Sequence, residues 1–362
     1  MIEFFRAVVA FIVVLGVLVT VHELGHYLVA RWRGVAIETF SVGFGPALLS
    51  RTDKHGTVWK LSAIPLGGYV RMKGWAELGG ETKGEVAPDS FRTKSLGSRA
   101  AIVAAGPAAN MVLAFVLFSA IFATSGAPTV LPVVSQVMPH TPAAAIGIVK
   151  GDRITSVDGQ KVSSFEQIER LIAPRPDDRI AITYTRDGVA KGANLTTASR
   201  MDHGRRIGEL GIVGADVAFR RLSPPAAMRA GAIETYAATA ATLDGLWKLV
   251  AYQKGVKNLG GPIRIAQISG KAASLGLADF VSFIALLSVN LGLINLIPIP
   301  ILDGGHLLFY AAEGLYGRAL PRKAQEIGLQ IGAAILASLI VFVTWHDLAH
   351  VGLFHFVSHL LG

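Results

Sequence analysis

The sequence contains no cysteine, and only 16% of its 362 residues are charged. The first absence excludes disulfides and thiolate ligands, so any zinc site in this chain must use His, Asp or Glu. The scarcity of charge accompanies 52% hydrophobic residues and a mean hydropathy of +0.50, which is typical of membrane proteins. The net charge is +9, but no block of basic residues stands out, and we therefore expect no binding to nucleic acid.

Four apolar segments are long enough to cross a lipid bilayer, which takes about 20 helical residues. They lie at about 4–28, 100–124, 278–298 and 327–345. The first has the position of a signal peptide, but no small-residue cleavage site ends it, so we expect it to be retained. The predicted fold class is therefore a multipass α-helical membrane protein with four transmembrane helices.

The distribution of Lys and Arg predicts the orientation of these helices. Residues 31–99 hold 11 Lys and Arg, the connection 306–326 holds three, and the stretch 346–362 holds none. Short basic loops face the cytoplasm. We therefore expect both termini and residues 125–277 on the outer side of the membrane.

An H-E-x-x-H motif, residues 22–26, ends the first apolar segment. On a helix, His22 and His26 lie one turn apart on the same face, so both imidazoles can bind one metal ion. Glu23 lies beside them, where it can take a proton from a zinc-activated water. Random order of this composition would give only about 0.01 such motifs, and ionisable residues at membrane depth indicate function. We predict that His22 and His26 bind Zn²⁺ and that Glu23 is the catalytic base.

A catalytic zinc site needs a third protein ligand and one open position. The best candidate is Asp303, which follows Pro298 and Pro300, because these two prolines prevent the third segment from continuing as a regular helix. Irregular backbone at this depth is tolerated only where it lines protein or a wet cavity. We expect Asp303 on a flexible turn; the alternative is that it caps the end of a span. Asn295 either hydrogen-bonds the substrate backbone or satisfies the broken helix.

The pairing of H-E-L-G-H with N-x-x-P-x-P-x-L-D-G-G resembles the site-2 protease family of intramembrane zinc metalloproteases, in particular its bacterial members that regulate sigma-E. Residues 106–110 resemble the family's G-P-x-x-N element, and Asn110 is therefore a candidate substrate-binding residue. The resemblance implies a protease of the bacterial inner membrane with its active site near the cytoplasmic face. Its expected substrates are single-span proteins, such as anti-sigma factors already shortened outside the membrane, and signal-peptide remnants.

The loop after the first span predicts two strands, at residues 36–49 and 57–73. A protease must unwind a transmembrane helix before it can cut it, and an exposed strand edge can stabilise the extended substrate by backbone pairing. The stretch 65–69 is apolar and contains small residues that permit close approach. Its candidate substrate-binding residues are Pro65, Gly67, Gly68 and Tyr69. The alternative is a plain hairpin at the membrane interface.

Residues 127–200 resemble a circularly permuted bacterial PDZ domain, with strands at about 133–139, 154–157, 179–186 and 190–198 and a helix at 163–173. PDZ domains add a peptide strand to a sheet edge, so we expect contact with a peptide or with a substrate's outer domain. The alternative is a spacer or size filter. The remaining predicted regions are 1–126 with the first two spans and the cytoplasmic-side strands, 201–277 as a linker with helices that approach the membrane, and 278–362 with the last two spans and the tail.

The C-terminal region repeats the spacing of four between histidines, in the pairs His346/His350 and His355/His359. Asp replaces Glu in the first pair and no further carboxylate follows, so we expect no metal site there. Two alternative functions have different requirements. A non-catalytic membrane scaffold that binds peptides would not need Glu23, and a metal transporter would need polar ligands in several spans, whereas the second and fourth have almost none.

Overall fold

The computed structural model describes residues 2–75, 87–202, 204–252, 261–318 and 320–350. The chain forms two compact units. The helical unit comprises Met1–Ile121 and Pro224–Gly362, and the β-rich unit comprises Phe122–Ser223.

The helical unit contains most of the helices, which are numbered along the whole chain. They are α1 (Ile2–Trp32), α2 (Leu96–Thr124), α5 (Pro224–Tyr252), α6 (Pro262–Leu275), α7 (Leu277–Asn295), α8 (Asp303–Tyr316) and α9 (Arg322–His350). Within the described residues, α1, α2, α7 and the Lys323–Trp345 part of α9 are long and apolar enough to cross a membrane. These are the four predicted spans. The third ends at Asn295 instead of residue 298, before the two prolines.

Helices α1, α2 and α7 pack closely where α2 crosses the histidine-bearing turn of α1. A Cβ atom on Gly25 of α1 would overlap the backbone oxygen of Ala105 in α2, so only glycine permits this approach. Further along the same helices, Val14, Leu18 and Ile284 form a buried cluster. The crossing brings α2 against the face of α1 that carries the zinc motif.

Helix α5 differs from the predicted helix that only approaches the membrane interface. It packs along two of the span helices: Gly231 lies against Ser119 of α2, and the Thr242 hydroxyl donates a 2.7 Å hydrogen bond to Asn290 of α7. A polar bond between helices satisfies both side chains in an apolar setting. The region predicted as a linker therefore contains a 29-residue helix that belongs to the helical unit.

The two predicted strands after α1 are present as β1 (Ile37–Thr52) and β2 (Val58–Met72), which pair antiparallel. Both strands bend, so that residues 39–42 of β1 lie between the two ends of β2. Phe40, for example, faces Val70 on one side and Trp59 on the other. Within the described pairing, residues 68–72 of β2 therefore form an edge of the sheet.

The described residues of the β-rich unit form ten short strands and two short helices. The strands are β3 (Ala127–Val130), β4 (Val134–Val137), β5 (Arg153–Val157), β6 (Gln160–Lys161), β7 (Arg179–Arg186), β8 (Val189–Thr196), β9 (Ala198–Asp202), β10 (Arg205–Glu209), β11 (Ile212–Gly214) and β12 (Val217–Arg220), and the helices are α3 (Pro142–Ala145) and α4 (Phe165–Ile172). Strands β6, β5, β7 and β8 form one antiparallel sheet in that order. Ile154, Ile168 and Ile182 fill its core, each at most 2% exposed.

An ion pair between the buried Asp152 and the partly exposed Arg186 stabilises the turn that leads into β5. Asp152 has no exposed surface and accepts hydrogen bonds from the Arg186 guanidinium at 2.7 Å and from the Val149 amide at 2.8 Å. The Arg186 hydrogen bond holds the pKa of the Asp152 carboxyl below its usual range. The turn before β5 is thus stabilised by a residue 34 positions further along the chain.

The predicted boundary at residue 200 is too early. Strand β11 pairs with β4, β12 pairs with β3, and Leu210 is only 4% exposed in the core of the unit. Residues 201–223 therefore belong to the β-rich unit and not to a linker. Their strands are three to five residues long, which is too short to show a periodic pattern in the sequence.

Candidate metal centre and active site

The two histidines of the zinc motif lie on one face of α1, as their spacing predicts. The helix is unbroken from Ile2 to Trp32, and both His22 and His26 are 7% exposed. Their Nε2 atoms are 3.2 Å apart. Both side chains therefore point the same ring nitrogen at one place.

Asp303 completes the group from 277 residues further along the chain. Its Oδ2 lies 3.0 Å from His22 Nε2 and its Oδ1 lies 3.6 Å from His26 Nε2. Ligands of a tetrahedral zinc ion at about 2.0–2.1 Å are separated by about 3.3 Å, so the three distances fit zinc. Among the described residues, these three form the one group of side chains that can hold a metal ion.

The Asp303 carboxylate lies at the start of α8 and not on the turn that the sequence predicts. Asp303 is the first residue of the helix. The next two residues are buried, and a Cβ atom on Gly304 would overlap the Leu296 carbonyl, while one on Gly305 would overlap the Ile299 carbonyl. The Asp-Gly-Gly sequence is thus needed for close packing. Since α7 already ends at Asn295, Asp303 does not cap a span.

Glu23 lies between the metal group and the edge of the β-sheet. The backbone amide of Val70 donates a 3.0 Å hydrogen bond to Glu23 Oε2. Because Val70 faces Phe40 in the sheet but donates its N–H to Glu23, this amide points away from β1, toward the open edge. Glu23, both histidines and Asp303 line a cavity of about 350 Å³.

The predicted substrate-binding residues separate into two groups. Tyr69 and Asn295 line the cavity, together with Trp75 and Leu291. The others shape the bend in β2: Pro65 is exposed, Gly67 has a φ of +116° and lies against the Phe44 ring, and Gly68 lies against the Ser41 carbonyl. Direct contact of these three residues with a substrate stays a prediction.

Asn110 does not lie where a substrate-binding residue is expected. It has no exposed surface and is not among the residues that line the cavity. Its side-chain amide lies 3.2 Å from His22 Nδ1, on the far side of the imidazole ring from Asp303. The structure thus places Asn110 behind His22, a candidate metal ligand.

Two groups at the site escaped the sequence analysis because they belong to the backbone. One is the Val70 amide. The other is the Ile102 carbonyl, which lies 2.9 Å from His26 Nδ1. Every residue has the same backbone groups, so the residue type does not indicate which of them will lie at a site. The Ile102 carbonyl reaches the His26 ring because α1 and α2 cross there. Gly106 belongs to the G-P-x-x-N element at residues 106–110. That motif does not predict that Gly106 lies against the rings of His22 and His26.

The aspartate of the C-terminal histidine motif has a structural partner. Asp347 in α9 is 4% exposed and accepts hydrogen bonds from the amides of Gly261 and Arg264, both at 3.1 Å. These two amides lie at the start of α6, so Asp347 caps that helix from another part of the chain. His355 and His359 lie outside the described residues.

Comparisons with known proteins agree with this geometry. The sequence profile described as peptidase family M50 matches residues 10–339. A protein of Agrobacterium fabrum, provisionally named a zinc metalloprotease, is 40% identical over 359 residues, covering 94% of this chain and 95% of that protein. The regulator of sigma E protease of Salmonella typhi is 31% identical over 443 residues, covering 93% of this chain and 97% of that protein. A solved PDZ domain of an SdrC-like protein from Listeria innocua is 24% identical and covers 25% of this chain and 99% of that structure, but its TM-score of 0.22 supports no inference.

Proposed function

This chain belongs to peptidase family M50, the family of site-2 protease zinc metalloproteases, and on that premise we propose that it cleaves peptide bonds inside the transmembrane segments of single-span membrane proteins. The observation that carries the proposal is the position of the metal group. His22 and His26 lie in an apolar helix long enough to span a membrane, and Asp303 follows another such helix. A sheet edge lies directly beside them.

The side chains of the site have two roles, metal binding and proton transfer. His22, His26 and Asp303 would hold zinc, which would supply a Lewis acid for the peptide carbonyl and for the attacking water. Glu23 is held through Oε2 by the Val70 amide, which leaves Oε1 to take a proton from the attacking water. The same carboxyl then delivers that proton to the leaving nitrogen.

The open edge of β2 is the surface where we propose that the unwound substrate binds. A strand that pairs with residues 68–72 has its backbone hydrogen bonds satisfied by the sheet. It also passes next to Glu23, because the Val70 amide on that edge already contacts this carboxylate. An extended peptide bound to this edge of the sheet thus lies next to Glu23, the proposed proton acceptor.

Replacing Val70 by proline is expected to lower the cleavage rate by about 10- to 100-fold, the effect of losing a hydrogen bond to a charged group. Proline removes the amide hydrogen that orients Glu23. The substitution breaks no bond to β1, since this amide points outward. Rates on a single-span substrate and bound zinc are measured together with the Val70→Ala control, which keeps the amide. Equal rates for the Pro and Ala variants would remove the edge amide from the mechanism.

We further propose that the protein lies in a bacterial inner membrane with the active site near the cytoplasmic face. The basic connection 31–99 follows the end of α1 that carries the zinc motif, and the basic connection 306–326 begins three residues after Asp303. Both termini and the β-rich unit then face the periplasm. Because a relative is named regulator of sigma E protease, we propose substrates similar to anti-sigma factors and to signal-peptide remnants.

We propose that the β-rich unit is a single PDZ domain that restricts access by substrates with bulky outer domains. Its ends lie together, since Val130 of β3 faces Val217 of β12. Residues 131–216 can therefore be replaced by a short Gly-Ser turn that closes these two strands into a hairpin.

This deletion is expected to leave zinc binding and the cleavage of a pre-shortened substrate unchanged, because every metal and base residue lies outside it. Full-length substrates with a folded periplasmic domain should become cleavable. As a control, substrates with the same domain fused on the cytoplasmic side should be cut at the wild-type rate. A variant that cuts the short substrate but still rejects the full-length one would show that the domain is not a size filter.

A further inference from the structure

One face of α2 lies against both histidine rings. Ile102, Gly106 and Asn110 are spaced by four residues and therefore share a face of the helix. Ile102 and Asn110 each contact one ring at its Nδ1 atom, and Gly106 lies between them against both rings. The metal ligands of α1 are thus supported from behind by three positions on a second helix.

We propose that this face of α2 is a positioning surface for the zinc ligands, in which the Asn110 side chain fixes the orientation and tautomer of His22. The Ile102 carbonyl fixes the orientation and tautomer of His26, and Gly106 provides the space for both rings. The inference rests on the zinc site and on no property of the substrate.

The contact of His26 determines which of its nitrogens carries the proton. A carbonyl oxygen can only accept a hydrogen bond, so Nδ1 of His26, 2.9 Å from the Ile102 oxygen, must be the donor. In a neutral imidazole the other nitrogen then has a free lone pair. That nitrogen, Nε2, is the one that faces Asp303.

His22 has the equivalent contact through Asn110. The side-chain nitrogen of Asn110 stands 3.2 Å from His22 Nδ1, while its oxygen is buried with no hydrogen-bond partner among the described residues. The two ends of an amide have nearly the same shape, and a half turn exchanges them. With the oxygen toward the ring, Asn110 accepts from Nδ1–H, and Nε2 of His22 is left free to bind zinc. Both histidines then have the same tautomer.

The surrounding helices hold Asn110 in place. Its backbone oxygen accepts a 2.8 Å hydrogen bond from the Ser288 hydroxyl of α7. Gly292, one turn further along α7, lies against the Asn110 side chain, where an added Cβ atom would come within 3.4 Å of it. A side chain fixed between two helices can orient the ring on a third.

Gly106 also indicates that this face of α2 positions the zinc ligands, because the rings occupy the space that a side chain would need. An added Cβ atom would overlap Nε2 of His26 and would lie 2.8 Å from Cε1 of His22. Even alanine would therefore displace the two rings that carry the ligand nitrogens. The small residue at this position serves the metal group, not only the packing of two helices.

Zinc affinity of the purified full-length protein, measured by competition with a chelator, tests the role of Asn110. Asn110→Leu keeps the size of the side chain but removes the acceptor, and should weaken zinc binding by about 10- to 100-fold. Asn110→Asp restores an acceptor and should bind zinc within about threefold of the wild type. Ser288→Ala is the matched control, since it removes a buried bond to the Asn110 backbone and leaves the amide group.

A second measurement separates positioning from a general loss of structure. The visible absorption of the cobalt-substituted protein reports the ligand geometry, and it should change for Asn110→Leu and not for Ser288→Ala. The melting temperature of the metal-free variants identifies a folding defect; if the Leu variant is defective, Asn110→Ala takes its place. Wild-type zinc affinity in the variant that lacks the acceptor would overturn the proposal. Equal weakening by Asn110→Asp or by Ser288→Ala would overturn it as well.

Discussion

Replacing Glu23 by glutamine is expected to lower the cleavage rate by about 10²- to 10⁴-fold, the usual contribution of a general base. The amide has no site for the proton of the attacking water. Its oxygen can still accept the hydrogen bond that Val70 donates to Glu23 Oε2, so the position of the side chain should be kept. Bound zinc should be unchanged, because the metal group consists of His22, His26 and Asp303.

The measurement is the turnover of a single-span substrate by pure protein, with the zinc content determined on the same sample. Glu38→Gln is a suitable control, since Glu38 lies in the same sheet but pairs with Arg71, and its side chain is 46% exposed. That variant should be fully active. Turnover near the wild-type rate by Glu23→Gln would eliminate Glu23 as the base.

Asp303→Ala should lose both zinc and activity. Even the loss of a hydrogen-bond partner of a ligand lowers metal affinity by about 10- to 100-fold, and removal of a direct ligand should exceed that. Two histidines alone leave an incomplete site for catalytic zinc. The expected outcome is a protein without stoichiometric zinc and without detectable cleavage.

A variant of the four C-terminal histidines is the control for Asp303→Ala. Changing His346, His350, His355 and His359 together to alanine should alter neither zinc content nor turnover, because Asp347 between the first pair already caps α6. Metal analysis of both purified variants decides between the two regions. Zinc lost from the tail variant and kept by Asp303→Ala would reverse the assignment.

The sequence predicts the parts of the site that are set by local structure. The spacing of His22 and His26 needs only an unbroken helix, and α1 is unbroken. Asp303 was found from a second local pattern, a proline-broken span followed by a carboxylate, although 277 residues separate it from His26. The four spans are also predicted from local sequence, because a run of about 20 apolar residues is typical of a transmembrane helix.

The sequence does not predict what depends on how helices cross. Asn110 was expected to contact a substrate, yet the approach of Gly25 to Ala105 turns it toward His22. The backbone partners of Glu23 and His26 follow from the same packing. The sequence does not predict strands β11 and β12 for a different reason: they are short, and their partners β4 and β3 lie about 80 residues earlier in the chain.

The central claim is zinc-dependent cleavage within the membrane, and one measurement tests it most directly. The purified protein is incubated with a single-span substrate before and after removal of zinc by a chelator, and again after zinc is restored. Mass spectrometry of the products then maps the cut. We expect cleavage inside the substrate's apolar segment, lost with zinc and regained with it. Cleavage that survives complete removal of the metal, or a cut that lies only outside the apolar segment, would contradict the claim.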